Sequence, residues 1–227
     1  MEMTLFYKGI IAALFLLSSF TIIPYSLNYL EKKNYPDLLD RKSKKFKISL
    51  AAHLIPFLIL SCITICFKEF TSIVDLTIIF FLLVSMISIL ATEVQGGYIL
   101  DKFTFPLILC GIGYNVYIVF FTETSFLQTP LTSVLFLLIV FGIPFIMFPK
   151  GMGFGDIKLY IAIALFFDIT TVFTILSVSI LFGLIYGVLA TKSKIKMPFI
   201  FGPSIVYAFV ICTLFDLARY LVPYLPF

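Results

Sequence analysis

Tryptophan is absent, histidine occurs once, and charged residues make up only 12% of the 227-residue chain. Each scarcity removes a class of protein. A typical soluble domain carries about twice that share of charge. Here 61% of residues are hydrophobic and the mean hydropathy is +1.14. A water-soluble globule could not hide so much apolar surface, and a disordered chain needs the opposite composition. A single histidine, His53, cannot build a histidine-rich metal site. The four cysteines, Cys62, Cys66, Cys110 and Cys212, all lie in apolar stretches, so neither a disulfide framework nor a tetrahedral zinc site is expected. Without tryptophan, an interfacial aromatic belt falls to the 28 Phe and 12 Tyr. The apolar runs are continuous rather than alternating, which argues against an outer-membrane barrel.

What remains is an integral membrane protein. A span needs roughly 20 apolar residues. Such runs cover about 5–27, 48–67, 73–92, 103–121, 131–148, 157–167, 170–191 and 201–221. The expected fold is all-α, a polytopic membrane helix bundle of about eight transmembrane helices. It forms one membrane domain over 1–227 with a basic loop at 28–47. The first run is read as a retained helix rather than a cleaved signal peptide. The net charge of +4 then serves orientation. Thirteen of the sixteen basic residues fall in odd-numbered loops, with only Lys8, Lys68 and Arg219 opposite. Odd loops are therefore expected on the cytoplasmic side of the cell membrane, with both termini outside. The lipid bilayer is the expected partner of the basic loop, and nucleic acid is not.

Acidic residues are few, so their placement carries information. Two groups fall in odd loops. Thr92-Glu93-Val94-Gln95-Gly96-Gly97-Tyr98-Ile99-Leu100-Asp101-Lys102-Phe103-Thr104 joins spans three and four. Gly151-Met152-Gly153-Phe154-Gly155-Asp156-Ile157-Lys158 joins spans five and six. Glycines at alternate positions let a backbone approach a neighbour closely. Asp156 stands where a helix begins, so an N-cap role competes with a chemical one. A second carboxylate on the same membrane side favours chemistry, because ionisable groups in a membrane bundle mark functional sites.

The Gly153-Phe154-Gly155-Asp156 stretch resembles the GxGD signature of membrane aspartyl proteases. With Gly151-Met152 before it and Ile157-Lys158 after it, the segment is similar to that of type IV prepilin peptidases. Tyr98-Ile99-Leu100-Asp101-Lys102-Phe103-Thr104 resembles a second element of that family, and Met197-Pro198-Phe199-Ile200-Phe201-Gly202-Pro203 a third. The resemblance covers about 88–227. It implies an aspartic-type endopeptidase that removes the short basic leader of a prepilin or pilin-like protein at the cytoplasmic membrane edge, without metal or cofactor. Asp156 would be one catalytic carboxylate.

Glu93 occupies the place where the family has its first catalytic Asp, and Asp101 is the alternative first carboxylate. Gly153 and Gly155 would let an extended substrate pass closely, and Lys158 would be interfacial with a supporting role at most. Two carboxylates held close share one proton, so one can activate water while the other polarises the scissile carbonyl. The first loop lacks the cysteine pairs that many bacterial members carry, so bound zinc and N-methylation are not expected. Glu in place of Asp leaves open a catalytically impaired relative that binds or assembles pilins. A small transporter is a weaker reading, because it would need acids near mid-bilayer.

Overall fold

An apolar segment in lipid must satisfy its own backbone, and a helix does so within a single segment. The computed structural model describes residues 5–32, 44–70, 73–121, 130–147, 153–192 and 201–221. Within them the chain forms α1 (Leu5–Lys32), α2 (Lys44–Phe67), α3 (Ile73–Gly96), α4 (Asp101–Phe121), α5 (Leu131–Met147), α6 (Phe154–Ala164), α7 (Ile169–Lys192), α8 (Gly202–Phe215) and α9 (Leu217–Leu221). No strand occurs among the described residues. Each of the eight apolar runs is met by a helix. Helices α1, α2, α3, α4 and α7 are long and apolar enough to cross a membrane, while α5 and α8 are shorter apolar helices. The protein is an all-α, multi-pass membrane bundle.

Three boundaries differ from the sequence reading. The last run breaks at Asp216, whose left-handed backbone (φ 49°) separates α8 from α9. Across this break the Arg219 N–H donates to the Asp216 carbonyl (3.0 Å). Helix α3 continues past its apolar run and takes in Glu93. The expected loop at 28–47 is helical at both ends, through Lys32 and from Lys44. Its middle, 33–43, lies outside the described residues, as do Glu123, Lys150, Gly151, Met152, Lys194, Lys196 and 197–200.

Helix α3 is the centre of the bundle, flanked by α1, α2, α4 and α8. From Leu82 to Glu93 almost every side chain on it is buried. A helix buried on all sides has no use for a polar face. Glu93, at 4% exposure, is therefore conspicuous. The outer helices turn large apolar side chains outward, among them Phe20, Phe67, Phe120 and Ile146. In a membrane these face lipid. Hydroxyls inside the spans bond carbonyls one turn back, as Ser19 does to Phe15, Thr64 to Leu60 and Thr92 to Ser88. Local bonding of this kind removes the cost of burying them.

The connections group the helix ends. Lys68 follows α2 and donates to the Thr213 carbonyl near the end of α8, and Lys8 of α1 donates to the Lys68 carbonyl. The opposite end gathers the C-terminus of α3 and the N-termini of α4, α6 and α8. Helices α4 and α6 run side by side in the same direction. Lys158 bonds Asp101 near their starts, and Asn115 Nδ2 donates to the Leu165 carbonyl further along both helices (2.7 Å). Gly111 makes that approach possible, since a Cβ there would lie 2.5 Å from Leu165 Cβ.

Candidate active site

Helix α3 ends just beyond Glu93. Gly97 N–H donates to the Glu93 carbonyl (2.7 Å), and Gly97 itself has φ +69°. This left-handed glycine stop turns the chain through Tyr98, Ile99 and Leu100. Leu100 then accepts from Phe103 and Thr104 to start α4, with Asp101 in the first turn. The turn brings the start of α4 back beside the acid on α3.

The GxGD segment forms the start of α6. Gly153 is the N-cap, extended at φ −70°, ψ 121°, with no side-chain cap. Asp156 is thus not the N-cap but the third residue of the helix. Its carboxylate folds back over Gly153, where a Cβ would meet Oδ2 at 2.7 Å. A carboxylate in the first turn is favoured by the helix dipole. The two motif glycines serve different neighbours. Gly153 leaves room for the acid on its own helix. Gly155 faces the α3–α4 turn, where a Cβ would stand 3.0 Å from Ile99 Cβ. Replacing Gly155 with alanine therefore pushes α6 away from the turn. The expected cost is about 1–3 kcal/mol of stability. Thermal unfolding of the detergent-solubilised protein checks it. Gly113→Ala, where nothing lies within 4 Å, is the control and shows no such loss.

Glu93 reaches across to α8. Its Oε1 accepts the Gly202 N–H at 2.8 Å. The donor is orphaned by the sequence around it. Pro203 carries no N–H, while Ser204 and Ile205 already donate to the Phe201 carbonyl. Gly202 N–H is left as the first-turn donor in need of a partner. The other oxygen of Glu93, Oε2, is buried with no hydrogen-bond partner. Asp156 lies close enough for its charge to act on Glu93. Burial pushes the Asp156 carboxyl up to about 6. No hydrogen bond reaches the Asp156 side chain among the described residues, and the loss of hydration outweighs the favourable helix dipole.

Asp101 and Lys158 stand at the rim. Lys158 Nζ lies 2.7 Å from Asp101 Oδ1 and 4.6 Å from the Phe154 ring centroid. Lys158 clasps α6 to α4. Asp101 is half exposed and committed to that pair, whereas Glu93 is buried beside the GxGD acid. The structure thus brings Glu93, Gly153, Gly155 and Asp156 together and sets Asp101 and Lys158 at their edge. Among the described residues no three His, Cys, Asp or Glu side chains converge as metal ligands do.

Residues 80–188 match the model of the type IV leader peptidase family. The matched segment, just under half of the chain, is similar to that family. No curated protein and no solved structure matches it. The matched segment begins within α3 and ends within α7, so it starts slightly before, and ends well before, the 88–227 suggested by the motifs. It holds Glu93, Asp101, Gly153, Gly155, Asp156 and Lys158. Gly202, which touches Glu93, lies beyond it. Its signal in the sequence was the Phe201-Gly202-Pro203 element, which gave no hint of the side chain it meets.

Proposed function

We propose that the protein is a membrane-embedded aspartic-type endopeptidase that removes the short basic leader of type IV prepilins or pilin-like proteins. Glu93 and Asp156 form its dyad. The observation that carries this reading is a buried carboxylate, Glu93, within electrostatic reach of a half-buried one, Asp156, the two supplied by separate helix ends at one end of the bundle, with one oxygen of Glu93 left without a partner. The excess of Lys and Arg in the loops at this end supports a cytoplasmic orientation. A basic leader held in the cytoplasm and followed by an apolar helix presents its junction at that membrane edge.

The dyad holds one proton, since two adjacent charges in a poorly hydrated site repel. The proton rests on Glu93 Oε2, the oxygen no donor reaches. Ionised Asp156 takes a proton from water, and the resulting hydroxide attacks the scissile carbonyl carbon. Glu93 gives its proton to the carbonyl oxygen, which becomes the hydroxyl of a tetrahedral intermediate. Collapse of that intermediate breaks the C–N bond. The proton gained by Asp156 passes to the leaving amine, and Glu93 is reprotonated from the intermediate's hydroxyl.

The reaction is tested by co-expression with a pilin-like protein bearing a short basic leader, an apolar helix and a C-terminal tag. Leader removal is read as a mobility shift. The pH profile carries a further expectation. Because Asp156 titrates near 6, it is protonated and unable to act as base below that pH. Initial rates in proteoliposomes fall about tenfold per pH unit on the acid side of 6. A rate that stays flat down to pH 4 contradicts Asp156 as the base.

A further inference from the structure

We propose that Gly202 is a positioning residue for the dyad: its bare α-carbon is the space that the Glu93 carboxylate occupies, and its N–H holds Oε1 so that only Oε2 is free to share a proton. The role rests on the dyad reading above, but the geometry stands without it. A Cβ at residue 202 would lie 1.5 Å from Glu93 Oε2, 2.3 Å from Cδ and 2.5 Å from Oε1. At Gly111, by comparison, the nearest atom would lie 2.5 Å away. The intruder is also anchored, being 4% exposed and bonded to the same residue at 2.8 Å.

The arrangement is specific to side-chain length. The carboxylate sits over the backbone of Gly202 because the glutamate chain, starting on α3, reaches that far. An aspartate at 93 would stop one methylene short and vacate part of the volume a Cβ needs. Residues 93 and 202 are therefore coupled. Glu at 93 requires Gly at 202, and a shorter acid relaxes the requirement. Asp156 on α6 is the titratable group whose charge acts on Glu93 among the described residues, and Tyr160, one turn further along α6, faces Asp156 in turn. Neither supplies Glu93 with a hydrogen-bond donor, so the Gly202 amide alone orients it.

The test uses the full-length protein in lipid nanodiscs. Infrared difference spectra across a pH titration report the Glu93 carboxyl stretch, identified as the band that Glu93→Gln removes. In Gly202→Ala the ionised carboxylate loses its donor, so the band shifts and its midpoint moves upward by about one to two pH units. Cleavage of the tagged pilin-like reporter falls about a hundredfold. Glu93→Asp/Gly202→Ala recovers at least about tenfold of that cleavage, although it carries two changes. If Gly202→Ala does not fold, recovery of folding in the double variant supports the coupling, and its failure to recover overturns it. An unshifted Glu93 band in Gly202→Ala overturns the positioning role whatever the cleavage rate. Full cleavage by Asp156→Asn overturns the dyad instead, and leaves the infrared result to be judged on its own.

Discussion

On the proposed dyad, Asp156→Asn is expected to abolish leader cleavage and at the same time to make the protein more stable at neutral pH. The first effect follows from the loss of the base. Asparagine keeps the size and first-turn position of the side chain but cannot take a proton from water, and the expected fall is about a thousandfold or more. The second follows from burial. The Asp156 carboxyl is raised from 3.8 to about 6 in the folded protein. Between those values the native state holds the proton more tightly than the unfolded chain does. Stability is therefore highest below about pH 4 with respect to this group, declines as pH rises to 6, and stays reduced above it. A shift of that size corresponds to about 3 kcal/mol. Asparagine escapes this cost. Thermal unfolding of the variant should exceed that of the parent at pH 7, with the gap closing near pH 4. A cleavage-dead variant that is also destabilised at pH 7 would mean that Asp156 holds the fold together rather than poising it for chemistry.

The helices were legible because lipid imposes a length and an apolar character that any sequence must meet. Even the short run at 157–167 reappears as an 11-residue helix. The grouping of helix ends was legible too, because Lys and Arg report the side on which a loop lies. What composition cannot show is how a polar residue ends a helix. Glu93 looked like a loop residue, since it interrupts an apolar run. It is helical because the Gly97 stop, four residues later, terminates the backbone pattern. Asp168 shows a case where a local reading suffices: its carboxylate accepts from Thr170 and Thr171 N–H at the start of α7, as a cap near the far end should. Helix period alone puts Lys158, two residues on, on a different face from Asp156. That it reaches Asp101 depends on the parallel run of α4 beside α6, which no local pattern encodes. Gly202 was invisible for the same reason, as its partner lies 109 residues away.

The sharpest test of the dyad lies in a three-way series at residue 93, with cleavage expected in the order Glu, then Asp, then Gln. Glu93→Gln is nearly isosteric. Its carbonyl oxygen can still accept the Gly202 N–H, so the seat on α8 survives and the fold should too. Its amide can neither hold nor release the shared proton. The expected loss is about a thousandfold or more. Glu93→Asp has the opposite character. It keeps a carboxyl group able to carry the proton, but withdraws it from Gly202 by one methylene, a displacement of about an ångström. Misplacement on that scale costs about ten- to a hundredfold. A relative that has lost proteolysis and only binds pilins gives a different pattern. It would show no cleavage with any of the three residues, and pilin capture would be indifferent to the change from Glu to Gln. A protein in which Glu93 serves only to cap α8 gives a third pattern, because Gln caps as well as Glu does and cleavage would survive in Glu93→Gln. Ranking the three variants by initial rate, with expression and thermal midpoint measured alongside, separates a proton-sharing acid from a structural one, because only the former distinguishes an acid of the wrong length from an amide of the right length.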